Sequence, residues 1–230
     1  MKRFMQIGCL VALQCLFLTL NVQAQKEVQV ENFDQVSAVG SITMHLEAGD
    51  ANKLVLYVDG IPEKEIEVKV TKGVLRIQVL NGFLYKNEIV KAYVTYKSLR
   101  SVRANAGAKV DCKETLSADL FSASVAAGGQ LDLSLDVKSL DASASEGGQL
   151  NLKGKAVSQE INASTGGVCR CSDLIGEKAS VKTSTGGRAE VQVTDLLEAS
   201  ANVGGEILYY NDPKEKRVKQ FLGGDVRKMR

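Results

Sequence analysis

"SEGGQLNLKG", residues 145–154, sets two adjacent glycines directly before an alternating Leu150-Asn151-Leu152 run. Nearly the same arrangement returns nineteen residues later, as Gly166-Gly167 before Val168-Cys169-Arg170-Cys171. Glycine pairs stand at 128–129, 147–148, 166–167, 186–187, 204–205 and 223–224, so their first members are 19, 19, 20, 18 and 19 residues apart. Gly107-Ala108 is a degenerate member 21 residues upstream of the first full pair. A period near 20 residues is a solenoid signal, and it takes precedence over other fold readings.

Residue columns aligned on the glycines strengthen that reading. Three residues after each first glycine stand Val110, Leu131, Leu150, Cys169, Ala189, Ile207 and Val226. Five after stand Cys112, Leu133, Leu152, Cys171, Val191 and Tyr209. Five before stand Val102, Ala123, Ala142, Ile161, Val181, Ala199 and Val218, and three before stand Ala104, Val125, Ala144, Ala163, Thr183 and Ala201. The columns between them are mostly polar: Asp111, Asp132, Asn151, Arg170 and Glu190 on one side, Arg103, Ser124, Ser143, Asn162, Lys182 and Ser200 on the other. Strand side chains alternate sides with period two, so each repeat carries one inward-facing strand before its glycines and another after them. Gly-Gly is then the corner between two strands of one coil. Glycine there permits positive φ and lets successive corners stack without a Cβ clash. The expected fold is all-β, a parallel β-helix with coils of about 19 residues. The competing architecture is a two-sheet sandwich in which the glycine pairs are hairpin turns.

Before residue 100 the pattern is strand-like without the repeat. Ile42, Met44 and Leu46 share one face, with Thr43, His45 and Glu47 opposite. Alternation recurs at Leu54–Val58, Ile66–Val70, Leu75–Val79 and Val90–Tyr96, with Gly49-Asp50, Asp59-Gly60 and Asn81-Gly82 as turns. No composition shift or linker divides this part from the coils. Residues 25–230 are therefore expected to form a single β-helical domain with a strand-rich N-terminal part.

Residues 1–24 read as a secretory signal peptide, with a retained membrane anchor as the alternative, since a run of about 17 residues is at the lower limit for spanning a bilayer. Lys2 and Arg3 precede a largely apolar Phe4–Leu20 run, and Val22-Gln23-Ala24 offers small residues at a cleavage site before Gln25. Cys9 lies too early for a lipoprotein site, and Cys15 follows Gln14 where a small residue is expected. No later apolar segment is long enough to cross a membrane. Cleavage removes Lys2 and Arg3, leaving 27 basic and 27 acidic residues and no electrostatic footprint for nucleic acid. The expected location is exported: periplasm, outer-membrane-associated or cell surface.

The three cysteines after the leader, Cys112, Cys169 and Cys171, all fall in inward columns. Cys112 and Cys171 are three coils apart, about 14 Å, and Cys169 and Cys171 lie about 6.5–7 Å apart along one strand. Neither spacing suits a disulfide, so buried free thiols are expected. The only histidine, His45, is remote in sequence and outward-facing, so no metal site is assigned. Asp111 and Asp132 occupy one outward column in adjacent coils, with Lys109 close by. Carboxylates on neighbouring strands can approach about 5 Å, the separation of a retaining glycosidase. Asn151 and Arg170 then interrupt the column, and no nucleophile or phosphate-loop motif occurs. No catalytic, cofactor-binding or metal-ligating residue is assigned, and no cofactor is expected.

Phe33-Asp34-Gln35-Val36, Gly40-Ser41-Ile42-Thr43-Met44, Leu46 and Gly49 resemble the opening of the bacterial family described as "putative auto-transporter adhesin, head GIN domain". Gly73-Val74-Leu75-Arg76-Ile77, the Gly-Gly coils, Asn211-Asp212-Pro213 and Gly223-Gly224 are similar too, so the resemblance covers residues 31–230. It implies an exported Gram-negative envelope protein with a right-handed β-helix. The expected function is a non-catalytic binding or adhesion module whose partner is a glycan or an envelope or surface protein. The alternatives are a β-helix polysaccharide hydrolase or lyase, with Asp111 and Asp132 as its acids, and a structural envelope component that oligomerises through coil ends or edges.

Overall fold

In the computed structural model, residues 25–85 and 88–229 are described. The alternating segments before residue 100 are strands: β1 (Gln25–Val28), β2 (Gln35–Val39), β3 (Ile42–Ala48), β4 (Lys53–Asp59), β5 (Ile66–Thr71), β6 (Val74–Val79), β7 (Ile89–Tyr96) and β8 (Ser101–Asn105). The repeat supplies long bent strands, one per coil: β9 (Lys109–Ala126), β10 (Gln130–Ala144), β11 (Gln149–Ser164), β12 (Val168–Ser184) and β13 (Arg188–Asn202). Three short strands end the chain: β14 (Glu206–Tyr209), β15 (Glu215–Phe221) and β16 (Asp225–Lys228). The leader expected at residues 1–24 lies outside the described residues.

Coils stack in parallel and in register. Leu131 pairs with Leu150, Leu150 with Cys169 and Cys169 with Ala189, while Ala142, Ile161, Val181 and Ala199 form a second row. The result is a β-solenoid of about seven turns. The sandwich alternative fails because its hairpins would pair consecutive strands antiparallel. The columns expected to face inward are buried from Val102 to Tyr209 and belong to one continuous core cluster. Burying a leucine contributes roughly 1.5–3 kcal/mol. Leu131 and Leu150 gain it because the coils on both sides cover them.

The corners divide the work of the two glycines. In each, the residue before the pair and the first glycine both have positive φ, as at Ala127 (48°) and Gly128 (72°) or Thr165 (49°) and Gly166 (71°). A backbone bond closes the turn, with Gly129 N–H donating to Ala126 O and Gly167 N–H to Ser164 O. Two left-handed residues inside such a bond make a type I′ turn. The second glycine has no positive φ. Its constraint is space: a Cβ on Gly167 would lie 2.3 Å from Ala144 O, and one on Gly187 would lie 2.2 Å from Ala163 O. The small-residue column before the corner therefore packs its backbone on the second glycine of the next coil. Nothing lies within 4 Å of a Cβ built on Gly128, Gly147, Gly166 or Gly186, so the first glycine answers to φ alone.

The N-terminal strands stack out of chain order. β2 lies between β6 and β8, parallel to both, and β3 lies between β7 and β9, also parallel to both. The first coil in sequence is thus the second in space. Beyond β6 and β7 the direction reverses: β5 pairs antiparallel with β6, β4 with β7 and β1 with β4. At the other end β15 and β16 continue the parallel stack on β13 and β14.

Candidate binding face

The polar column that follows the corners is longer than the repeat. Pairing carries it from Tyr93 to His45, Asp111, Asp132, Asn151, Arg170 and Glu190, one residue per coil. Each side chain points outward because its neighbours in the strand fill the core. Pairing slips just past the column, between Asp132 and Ser134 and between Asn151 and Lys153. Such irregularities bend a strand, and a groove of about 580 Å³ runs across the bends. Asp111, Asp132, Asn151, Lys153, Arg170 and Asp173 are among its lining residues. A second hollow of about 430 Å³, lined by His45, Glu47, Tyr93 and Glu114, shares Asp111 and Lys113 with it.

The side chains of the column are tied to one another. His45 Nδ1 lies 2.8 Å from Asp111 Oδ2. Asn151 Nδ2 donates to Asp132 Oδ1 at 2.6 Å, and Arg170 Nη1 donates to Asn151 Oδ1 at 3.2 Å and Gln149 Oε1 at 3.1 Å. Farther along, Tyr210 OH donates to Glu190 Oε2 at 3.1 Å. At the other end Tyr93 packs against His45 with ring centroids 5.2 Å apart, and it remains 46% exposed. The face offers an aromatic platform followed by carboxylate, amide and guanidinium groups already held in place.

Asp111 and Asp132 are register partners, as the columns predict. Each is engaged on its far side, Asp111 by His45 and Asp132 by Asn151. The placement of His45 corrects the sequence reading. Although 66 residues of chain separate it from Asp111, β3 lies directly against β9, so the imidazole joins the column rather than standing apart. Strand parity identified its outward side, but nothing in the sequence linked it, or Tyr93, to the repeat. Among the described residues, no group of three or more His, Cys, Asp or Glu side chains is placed to hold a metal ion.

The cysteines are free and buried. Burial pushes the Cys169 thiol up to about 12 and the Cys171 thiol well above its ordinary value. Cys112 sits closer to the surface, with Tyr96 OH at 3.5 Å and Glu114 Oε2 at 3.7 Å, and burial raises it too. Cys112 lines the groove, but burial favours its thiol over the thiolate that reacts.

Fold and face together define a β-solenoid that presents a long, polar, preorganised surface. The chain belongs to the family described as "Putative auto-transporter adhesin, head GIN domain", whose model matches residues 32–213. The match ends before β15 and β16, short of the Gly223-Gly224 corner. Among solved structures, a "putative adhesin" from Bacteroides fragilis is similar with a TM-score of 0.77 at 18% identity, covering 90% of this chain and 96% of that one. A "putative adhesin" from Parabacteroides distasonis has a TM-score of 0.70 at 20% identity, and a "putative lipid binding protein" from the same species 0.68 at 18%, both with the same coverage. At these identities the likeness is one of fold. No curated protein sequence matches the chain.

Proposed function

We propose that this chain is an exported adhesion module of the bacterial envelope that binds an extended glycan along the Tyr93–Arg170 column and does no chemistry on it. Membership of an adhesin family supports the surface role. The observation that carries the ligand class is the column itself. Coils advance about 4.8 Å, close to the rise per sugar in an extended polysaccharide, so successive residues can meet successive sugar units. An exposed tyrosine suits the apolar face of a sugar ring, while Asp, Asn and Arg suit its hydroxyls. Side chains already tied to one another lose less freedom on binding.

A glycan array probed with the purified protein, followed by product analysis on every hit, tests the proposal. Binding should be saturable, and Tyr93→Ala and Arg170→Ala should each weaken it by about tenfold, roughly 1.4 kcal/mol. Asp111→Asn with Asp132→Asn should change affinity by no more than that factor, and no product should appear with either protein. Wild-type turnover that vanishes in the double variant would replace this reading with a polysaccharide hydrolase, for which the paired carboxylates are the specific warrant. A protein that binds no glycan but forms defined oligomers would be a structural envelope component.

A further inference from the structure

Among the described residues, the solenoid interior is open at its N-terminal end. Inward-facing Leu56 and Val58 on β4, Ile66 and Val68 on β5 and Val28 on β1 surround a slot of about 280 Å³. Apart from Leu56 these side chains are only partly buried, although they pack against the core. The remaining lining residues, Lys26 and Glu63, stand at the rim as an ion pair of 2.7 Å, each 60% exposed. The opposite end of the same stack is built differently. There three inward positions change to Lys216, Gln220 and Lys228, beside Val218 and Val226, and Lys216 lies over the Tyr209 ring.

We propose that the slot binds a single alkyl chain bearing an anionic head, with the chain between β4 and β5 and the head at Lys26. Its volume sits at the lower edge of the range for small-molecule sites, roughly 300–1,000 Å³, which admits one chain and no bulky ring system. Aliphatic walls with polar groups confined to the mouth match an amphiphile. At the mouth, Lys26 supplies the partner for an anionic head. An exposed Lys–Glu pair is worth little, so a ligand carboxylate can displace Glu63 from Lys26 at small cost.

Calorimetric titration of the purified protein with dodecanoate below its micellar concentration tests this. The expected result is saturable one-to-one binding with a negative heat-capacity change, the marker of apolar burial. Val58→Phe and Ile66→Phe, made separately, fill the slot and should each weaken binding at least tenfold while keeping the wild-type melting transition. Two such variants guard against one misfolding. Glu63→Gln should tighten dodecanoate binding, and Lys26→Ala should weaken it by about threefold; dodecyltrimethylammonium should respond in the opposite sense to each. Absence of saturable binding, or unchanged affinity in both filled variants, overturns the proposal. So does a dimer that becomes monomeric when the slot is filled, which would assign the slot to a second copy.

Discussion

At the C-terminal end, the rows that hold Leu197, Ala201 and Tyr209 in the preceding coil continue as Lys216, Gln220 and Lys228. At the N-terminal end the inward positions stay aliphatic, with Leu56, Val58, Ile66 and Val68, and strand direction changes instead. Both ends face the same hazard, because a parallel stack presents an unpaired strand edge to any further coil. The C-terminal end blocks addition by chemistry, placing lysines where a further coil would need apolar contacts. The N-terminal end blocks it by direction, since the outer antiparallel strands no longer match a parallel coil. The directional solution keeps the inward positions aliphatic and leaves a slot.

The contrast between covered and uncovered coils is sharpest for charge in an inward row. Leu150→Asp should cost several kcal/mol, because it buries an unpaired carboxylate between two coils. Val218→Asp, in an inward row of the last coil but 40% exposed, should cost about 0.5 kcal/mol or less. Equal shifts in denaturant melts would mean that the last coil is covered after all.

Corners should show the next largest difference. Gly167→Ala forces a methyl group onto the carbonyl of Ala144 and should cost about 2–3 kcal/mol. Gly166→Ala has free space and should cost only the left-handed penalty, roughly 1–2 kcal/mol. Ala108, which holds the second-glycine place in the corner between β8 and β9, follows a corner one residue shorter, Gly40-Ser41, and already accommodates its methyl. Ala108→Gly should therefore destabilise by less than about 1 kcal/mol. Thermal or urea melts of the three variants decide the order.

Thiol chemistry should separate middle from end by pH. A folded-state thiol raised above its unfolded value favours the protonated form. The stability linked to Cys169 is thus fully present below about pH 9 and falls as pH rises toward about 12. At pH 10 the Cys169 share of the loss should be about 1 kcal/mol, and Cys169→Ala should remove that share while Cys171 keeps its own. Under native conditions Cys112 should react with a thiol reagent before Cys169 or Cys171, and simultaneous labelling of all three would contradict their burial. The smallest effect on monomer stability is expected from Lys216→Leu with Lys228→Leu, a surface change within about 0.5 kcal/mol. That variant should instead self-associate in sedimentation experiments, and a strictly monomeric double variant would show that the lysines do not guard the edge.

What the sequence made legible was whatever repeats. The period, the parity of the columns and the burial of the cysteines all follow from the recurrence of Gly-Gly, because one geometry is written six times. The left-handed residue before each pair was not legible. Ala127, Glu146, Thr165, Thr185, Val203 and Leu222 share no chemistry that marks positive φ, and the conformation is imposed by closure of the turn. Nor was the order of the first coils, since which strand β2 or β3 adjoins depends on long-range pairing that alternation does not encode. The same gap hid His45 and Tyr93 from the binding face. The Asp111–Asp132 pairing was legible because both lie inside the repeat, whereas their hydrogen-bond partners depend on neighbours on either side.

The interleaving of β2 and β3 between two later coils has a mechanical meaning. A tether pulling on the C-terminus can peel β16 and β15 and then each coil in turn, because every coil there is held by the one before it. Pulling on the N-terminus frees β1 and then meets a strand clamped on both flanks by β6 and β8. Load applied there must break two parallel ladders together before any chain is released. The molecule is thus a zipper at one end and a latch at the other. Force spectroscopy with the handle moved between the termini should record small serial steps from the C-terminal side and one larger rupture from the N-terminal side.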